Sequence, residues 1–423
     1  MFLLLTLEIR IYMIAIQVVT ATAPHAEGIE TVMMQSDEFK EISVEELDKM
    51  PREDYIILDV RDEDDYNHDS IPGSIHIVYD ALMQGARDRI PKNSKLVVIC
   101  KYGRLSEDVA LKLNEEGYDA YNLLGGYGKF VAYNALRLAN DEETRENIEK
   151  SLRKKFRKDI FVPFVKAIND YELVKPGDKI AVCISGGKDS MLMAKLFQEL
   201  KRHNKIPFEL EFIVMDPGYN EQNRRVIENN AKLLGIPVHI FESDIFDSVY
   251  EVEKSPCYLC ARMRRGHLYS KAKEYGCNKI ALGHHFDDVI ETILMGMLYS
   301  GQYQAMMPKL HSTNFEGMEL IRPMYYVRED DIKHFRDYNG LHFIQCACKF
   351  TDTCTTCRAN GDSGSKRLET KMLIAKLKET NPCVEKNIFR SQENVVLNKT
   401  LGYKLNGQRH SFLEKYDDED WGY

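Results

Sequence analysis

The sequence lacks internal repeats and low-complexity tracts, and its 44% hydrophobic and 29% charged residues are ordinary for a globular protein. It also lacks a general excess of positive charge, because the formal net charge is −9. Any contact with nucleic acid must therefore come from local basic patches. A chain of 423 residues exceeds the roughly 250–300 residues at which a single core stops growing, so we expect two folded domains.

An unbroken apolar run is missing as well. The first residues, MFLLLTLEIRIYMIAIQVV, are apolar but are interrupted by Glu8 and Arg10. An export signal needs a basic start and an apolar stretch of about 7–15 residues, and a membrane-spanning helix needs about 20 residues almost free of charge. We therefore expect no membrane association. Residues 1–37 are interpreted as a disordered or non-native leader, and the protein proper is expected to begin near Met33 or Met34.

Ten cysteines are present, and several of them cluster as C-x-x-C and C-x-C. Clusters of this kind suit metal or sulfur chemistry in a reducing compartment better than extracellular disulfide bonds. A cytoplasmic location is the corresponding expectation.

Short α/β units begin near residue 40, with the predicted strands YIILDV, KLVVIC and a third near AYNLLGG. Alternation of strands with helices predicts a parallel sheet. Cys100 ends the second of these strands and precedes a predicted helix. The amides and the positive dipole end of a helix start favour a thiolate and its adducts.

Residues 38–135 resemble a rhodanese domain through LDVRDEDDYNHDSIPGSIHI, the loop CKYGRLS and the closing GYDAYNLLGGYGKF. The resemblance implies that Cys100 carries a persulfide and that Asp59 and Arg61 belong to a structural D-V-R element. The family's loop is commonly C-x-x-G-x-R-S. Here Arg104 stands one place early and Leu105 occupies the arginine position, a change that fits sulfur delivery by a protein donor.

The segment KIAVCISGGKDSMLMAKLF, residues 179–197, predicts a strand, a glycine turn and a helix from Asp189 onward. Glycines let the backbone approach an oxyanion, and the helix N-terminus adds a favourable potential. Lys188 can pair with phosphate oxygens, and Asp189 is placed to cap the helix or to hold Mg²⁺. The predicted phosphate-binding residues are Ser185, Gly186, Gly187, Lys188, Asp189 and Ser190.

The hexapeptide SGGKDS resembles the signature of the PP-loop ATP pyrophosphatases, which split ATP between its α and β phosphates and place AMP on a carbonyl-like oxygen. A doubly wound parallel sheet with bound ATP and Mg²⁺ is implied. FELEFIVMDPG ends at Asp216 and Gly218, where an adenine or ribose would lie at the carboxyl edge of such a sheet. GHHFDD matches the family's G-H-x-x-D-D element through Gly283, His284 and Asp288.

The order SGGKDS, P-C-x-x-C-x-x-x-R-R-G, G-H-x-x-D-D and a late cysteine resembles the tRNA 2-thiocytidine synthetase group of that family. This implies a 4Fe-4S cluster held by Cys257, Cys260 and a third ligand, for which Cys348 is preferred to Cys346. Cys354 and Cys357 are extra, and Cys183 and Cys277 are interpreted as bystanders. A zinc site formed by tertiary approach of the two C-x-x-C pairs is the alternative, because thiolates suit both metals.

The function expected is ATP-dependent thiolation of a cytidine or uridine C2 position in tRNA, with sulfur from a cysteine desulfurase or another persulfide donor. Arg262, Arg264 and Arg265 are suited to phosphate contact. A homodimer is also envisaged. A PP-loop amide ligase resembling lysidine synthetase and a non-catalytic sulfane-sulfur carrier remain alternatives.

The other predicted segments are a basic helical linker at 136–175, the PP-loop domain at 176–340, a cysteine-containing helical part at 341–400 and an acidic tail at 401–423.

Overall fold

The computed structural model describes residues 40–139, 141–203, 206–243, 256–344 and 366–417. The predicted leader and the late cysteines Cys346, Cys348, Cys354 and Cys357 lie outside these ranges. The chain from Lys40 onward forms one compact unit, which is built around two separate sheets. We call the part built on the first sheet the first domain and the part built on the second sheet the second domain.

The first sheet has five parallel strands in the order β1-β5-β4-β2-β3. Its strands are β1 (Glu41–Ile42), β2 (Tyr55–Asp59), β3 (Ile75–His76), β4 (Lys95–Ile99) and β5 (Asp119–Leu123). Its helices are α1 (Val44–Leu47), α2 (Glu63–His68), α3 (Tyr79–Met83), α4 (Leu105–Glu115) and α5 (Gly126–Ala139). The three strands predicted from apolar runs are β2, β4 and β5, and the parallel sheet is confirmed.

Helices α6 (Glu142–Arg153) and α7 (Val162–Asp170) connect the two sheets, with a π-helical turn, Arg157–Phe161, between them. Their apolar positions recur at helical spacing, and Leu152, Phe156 and Phe164 are buried in the core of the second domain. Lys154, Lys155, Arg157 and Lys158 are exposed, whereas Arg145 and Arg153 bond to the second domain. The segment is therefore packed on the second domain along its apolar side.

The second sheet has six strands in the order β10-β11-β9-β6-β7-β8, and all pairs except β10–β11 are parallel. Its strands are β6 (Lys179–Ile184), β7 (Glu209–Asp216), β8 (Val238–Glu242), β9 (Lys279–Ala281), β10 (Lys309–His311) and β11 (Glu319–Ile321). From β6 the chain moves outward to β7 and β8, and then returns to β9 on the other side of β6. This reversal makes a switch point between β6 and β9, the place where doubly wound sheets bind ligands.

The remaining helices cover both faces of this sheet and continue into the C-terminal part. They are α8 (Lys188–His203), α9 (Glu221–Leu233), α10 (Pro256–Glu274), α11 (Phe286–Ser300), α12 (Glu329–Tyr338), α13 (Lys366–Thr380) and α14 (Val384–Glu393). A hairpin of β12 (Gly402–Leu405) and β13 (Gln408–Ser411) lies within the segment predicted as an acidic tail. Among the helices so described, none is both long and apolar enough to cross a membrane.

Candidate active site

The phosphate loop predicted from SGGKDS joins β6 to α8, which begins at Lys188, one residue earlier than expected. Gly186 has φ +87°, and a Cβ at this residue would lie 2.6 Å from Ile227 and 2.7 Å from Ile344, so only glycine fits. Ser190 Oγ accepts from the Ser185 amide at 3.1 Å and donates to the Gly187 carbonyl at 3.0 Å. The turn is thereby fixed in shape, with a helix N-terminus behind it.

Lys188 is buried at 5% exposure, and carboxylates surround its ammonium group. Its Nζ lies 3.2 Å from Asp189 Oδ2 and 3.5 Å from Glu329 Oε1. Burial alone would raise the pKa of Glu329, but the hydrogen bond from Lys371 and the charge of Lys188 lower that pKa well below its ordinary value. Glu329 therefore stays ionised, and no sequence motif pointed to it.

A second loop, between β9 and α11, meets the phosphate loop at the switch point. A Cβ on Gly283 would lie 3.2 Å from the Ser190 amide nitrogen, so glycine permits this close contact. His285 is the N-cap of α11, and its amide donates to Asp288 Oδ2 at 3.0 Å. Asp288 thus caps the start of α11 and also lies beside the phosphate loop. His285 Nε2 lies 4.0 Å from Asp189 Oδ1, which brings the two loops together.

Two buried polar atoms beside these loops have no hydrogen-bond partner among the described residues. They are Asp189 Oδ1 and His284 Nδ1. Burial lowers the pKa of His284 to about 4, so its ring is neutral at pH 7. Orphaned polar atoms of this kind indicate that a ligand or an ion completes the site.

The carboxylates of this site fit a magnesium nucleotide rather than an all-protein metal site. Across the ranges described, no group of three or more histidine, cysteine, aspartate or glutamate residues is arranged to hold a metal ion. Magnesium usually retains waters and takes only one or two protein carboxylates in addition to phosphate oxygens. Asp189 and Asp288 could supply those carboxylates.

Asp216 ends β7, the strand next to β6, and holds the turn that follows it. Its Oδ1 accepts from the amides of Gly218 at 2.9 Å and Tyr219 at 2.7 Å. Its Oδ2 lies 3.1 Å from Arg224. The Asp216 carboxylate is therefore engaged by contacts with the turn and the helix that follow β7. That turn lies at the carboxyl edge of the sheet, where the nucleoside was predicted to bind.

Cys100 lies at the end of β4, as its strand-terminal position predicted, and is 3% exposed. Its Sγ accepts from the Gly103 amide at 3.1 Å and lies 3.2 Å from Ser106 Oγ, whose hydroxyl also has Asn122 Oδ1 as an acceptor at 2.7 Å. The Gly103 amide can stabilise a thiolate or the inner sulfur of a persulfide, and the Ser106 hydroxyl can add to this when it turns from Asn122 to the sulfur. Leu105, which replaces the commoner arginine, begins α4 and is 50% exposed.

Asp59 and Arg61 form a buried bidentate pair, with Arg61 Nη2 2.7 Å from Asp59 Oδ2. The guanidinium also donates to the Asp69 carbonyl at 2.8 Å and stacks 3.6 Å from the Tyr127 ring centroid. This element ties strand β2 to the corner that follows α2. That corner is where the first domain meets the second.

The two domains are joined by helix α5 packed on helix α9. Val226 of α9 is buried among the core residues of the first domain. Gln222 Nε2 donates to the Gly125 carbonyl at 2.8 Å, and Asn229 Nδ2 donates to the Ala132 carbonyl at 2.9 Å. The contact therefore combines apolar burial with hydrogen bonds, which makes it a fixed interface.

A second contact between the domains surrounds Asp69, which is 5% exposed. Its Oδ2 lies 3.2 Å from His342 Nδ1, and its Oδ1 lies 4.0 Å from Arg336 Nε. Burial opposes ionisation of Asp69, but the hydrogen bond and charge of His342 lower its pKa below the ordinary value. Arg336 also donates to the His68 carbonyl.

A small cleft of about 50 Å³ lies between the domains. Lys101 and Tyr102, the two residues after Cys100, line it together with Asn223 and Ile344. Ile344 also approaches the Gly186 position of the phosphate loop. The loop that carries Cys100 and the loop that carries Lys188 therefore border one region of the molecule.

The predicted cluster cysteines are described only in part. Cys257 and Cys260 fall in the first turn of α10, where residues three apart share one face of the helix. Cys346 and Cys348 lie outside the described residues. Cys183 and Cys277 are buried; burial raises the pKa of both thiols, that of Cys277 to about 11, so both stay protonated.

Family models match both parts of the chain. A rhodanese-like domain matches residues 43–133 and a PP-loop domain matches residues 148–351. Among solved structures, the U34-tRNA thiolase NcsA from Methanococcus maripaludis with its [4Fe-4S] cluster is 23% identical, covers 59% of this chain and 78% of that chain, and has a TM-score of 0.43. A rhodanese-related protein from Thermoplasma volcanium is 24% identical, covers 22% of this chain and 93% of its own, and has a TM-score of 0.22.

Eight curated relatives of the second domain share the name tRNA-cytidine(32) 2-sulfurtransferase. The protein from Citrifermentans bemidjiense is 36% identical over 234 residues, which are 54% of this chain and 88% of the relative. The protein from Anaeromyxobacter dehalogenans is 34% identical over 263 residues, which are 60% of this chain and 87% of the relative. With its phosphate loop, its second glycine loop and this extent of identity, the chain belongs to the tRNA-cytidine(32) 2-sulfurtransferase family of PP-loop proteins, here joined to a rhodanese-like domain.

Proposed function

We propose that the protein is an ATP-dependent tRNA sulfurtransferase that replaces the C2 oxygen of a cytidine with sulfur. The observation that carries the proposal is the phosphate loop, in which a conformationally restricted glycine turn, a helix N-terminus and the buried Lys188 converge beside orphaned polar atoms. Membership of a family whose curated relatives bear the name tRNA-cytidine(32) 2-sulfurtransferase supports the same reaction.

In this reaction the loop amides, Ser185 and Lys188 hold the phosphates of ATP that leave as pyrophosphate. Magnesium, held by Asp189 and Asp288, would neutralise phosphate charge when bound. AMP becomes attached to the base oxygen, and sulfur then takes its place as AMP departs. Lys188 acts electrostatically, and its burial strengthens the contact because a charge shielded from water interacts more strongly.

Sulfur enters through Cys100, in our proposal, as a persulfide formed by a cysteine desulfurase or another protein donor. The outer sulfur gains two electrons from a dithiol reductant before it bonds to C2, and this releases Cys100 as the thiol. The amide of Gly103 stabilises the Cys100 sulfur, and the Ser106 hydroxyl joins it when it turns from Asn122 to the sulfur. The position of Lys101 and Tyr102 on the cleft between the domains supports transfer toward the second domain. The exposed Leu105 leaves the loop mouth without the usual arginine, which favours a protein donor over a small anionic one.

Cys257 and Cys260, with Cys348 or Cys346 as the third ligand, would hold a 4Fe-4S cluster. Two cysteines in one helical turn suit a shared metal centre, and thiolates are the ligands that such clusters take. When bound, the cluster would offer one open iron as a sulfur-binding position. Arg262 and Arg265 lie exposed on the same helix, a position suited to contact with tRNA phosphates. A tRNA substrate also agrees with a cytoplasmic location.

The test uses the full-length protein with Mg²⁺, ATP, tRNA, a dithiol reductant, a cysteine desulfurase and cysteine. We expect AMP and pyrophosphate together with 2-thiocytidine, measured by chromatography and mass spectrometry of the digested tRNA. ADP and phosphate as the products, or an unmodified tRNA in the presence of AMP formation, would contradict the proposal.

Cys100→Ala tests the sulfur entry point, with exposed Cys383→Ala as the matched control. Cys100→Ala should lose thiolation with the desulfurase but retain ATP cleavage, and free sulfide should restore the product. Cys383→Ala should behave as the unsubstituted protein. Equal thiolation by Cys100→Ala and the unsubstituted protein with the desulfurase would show that sulfur enters elsewhere.

A further inference from the structure

Helix α13 places two cations against the acidic side of the phosphate site. Arg367 Nη1 lies 3.1 Å from Asp288 Oδ1, and its Nε lies 3.3 Å from Glu291 Oε2. Lys371 Nζ lies 2.6 Å from Glu329 Oε2, and the other oxygen of Glu329 lies 3.5 Å from Lys188. Helix α13 is thus linked by ion pairs to Asp288 at the start of α11 and, through Glu329, to Lys188 at the start of α8.

The charge balance of the site depends on these two side chains. Within the described residues, five carboxylates surround the two loops, and the second domain up to α12 pairs them with only three cations. The carboxylates are Asp189, Asp287, Asp288, Glu291 and Glu329, and the three cations are Lys188, Arg328 and Lys333. Arg328 also pairs with a sixth carboxylate, Glu385 of α14. Helix α13 adds three cations, Arg367, Lys371 and Lys378, so that six cations face six carboxylates. Without them, the triphosphate of a nucleotide would approach a site of net negative charge.

The two cations are also placed where a nucleotide could reach them. Arg367 is 45% and Lys371 is 47% exposed at the side chain, whereas Lys188 is 5% exposed. Lys188 therefore forms the floor of the site, and the α13 cations form its rim. Long side chains at a rim can exchange a carboxylate for a phosphate oxygen by rotation, without movement of the helix.

We propose that Arg367 and Lys371 are phosphate-binding residues, so that α13 forms the outer wall of the nucleotide site. Arg367 leaves Glu291 and Lys371 leaves Glu329, which Lys333 still neutralises, and both cations donate to the oxygens of the phosphate chain. The inference rests on the proposed function in one respect, namely that the phosphate loop binds ATP. It adds a third element to the two loops that the sequence motifs identify.

The experiment is calorimetric titration of the full-length protein with Mg²⁺–ATP and, separately, with adenosine. Arg367→Gln and Lys371→Gln should each weaken ATP binding about tenfold or more, as expected for loss of a charge-assisted hydrogen bond. Adenosine, which has no phosphate, should bind both variants as it binds the unsubstituted protein. Lys376→Gln, the same change on the same helix outside the ion-pair cluster, is the matched control and should leave both affinities unchanged. Arg367→Lys should retain part of the ATP affinity.

Three results would overturn the inference. Unchanged or tighter ATP binding by the double variant Arg367→Gln/Lys371→Gln would show that these cations only shield carboxylates. An equal loss of adenosine and ATP binding would show that α13 acts through the shape of the site. If the unsubstituted protein binds neither ligand, the proposed function fails as well, which distinguishes that outcome from the first two.

Discussion

His68 offers a test of how closely the two domains are joined. It ends helix α2 of the first domain, and its carbonyl accepts from Arg336 of the second. Burial, aided by the positive charges of Lys188 and Arg336, lowers the pKa of His68 to about 4, although Asp69 and Glu329 act in the opposite direction. The ring is therefore neutral in the folded protein at pH 7.

The sign of the pH effect follows from this lowered pKa. Between about pH 4 and pH 6.5 the unfolded chain protonates His68 and the folded chain does not, so stability falls as the pH falls through this range. The pKa lies some 2.5 below the ordinary 6.5. At about 1.36 kcal/mol per pH unit, this difference in pKa can change the free energy of unfolding by at most about 3 kcal/mol. About 2 kcal/mol of that stability is lost when the pH falls from 7.5 to 5.

The assay is urea unfolding of the unsubstituted protein and of His68→Asn at pH 7.5 and pH 5. Between pH 7.5 and pH 5, the free energy of unfolding of the unsubstituted protein should fall by about 2 kcal/mol more than that of His68→Asn. His311→Asn, at an exposed histidine, should show no such shift. Parallel pH dependences for the unsubstituted protein and His68→Asn would refute burial of a neutral His68 at the domain contact.

Three further predictions concern the phosphate loop and helix α10, which carries Cys257 and Cys260. Lys188→Ala should keep its circular dichroism spectrum and lose about 10²–10³ in the rate of AMP release, and a normal rate would contradict its role. Cys257→Ala or Cys260→Ala should remove iron and acid-labile sulfide from anaerobically prepared protein, whereas stoichiometric zinc without iron in the unsubstituted protein would count against a cluster. Gly186→Ala should lower the free energy of unfolding by about 1–3 kcal/mol more than Gly117→Ala, since both have positive φ but only Gly186 is enclosed by side chains. Equal losses of unfolding free energy by the two variants in denaturant titrations would show that Ile227 and Ile344 move to admit the added methyl group.

The sequence predicted the sheets because their central strands are continuous apolar runs. β2, β4, β6 and β7 are buried on both faces, so their composition alone marks them. The phosphate loop was predicted because glycine, lysine and aspartate stand together in SGGKDS, and the second loop because GHHFDD matches the G-H-x-x-D-D element of the PP-loop family. These features are local, and local patterns can be read from one sequence.

The residues that complete the site could not be predicted in this way. Glu329 and Arg367 lie far along the chain from Lys188 and come from helices with no motif, and ordinary charged side chains give no signal of their partners. The α5–α9 contact was missed for a related reason. An apolar residue such as Val226 predicts a buried helix face but does not identify the element that covers it.

The burial of Val226 in the core of the first domain has a practical consequence for anyone who divides the chain. A cut after α5 would expose the apolar side of α9 in one fragment and unpair the carbonyls of Gly125 and Ala132 in the other. In a PP-loop protein that has no partner domain, we expect polar side chains on this side of the helix, because an exposed apolar patch there would favour aggregation. The residue at the position of Val226 could therefore serve as a marker, in other genomes, of whether a separately encoded rhodanese-like protein docks at the same place.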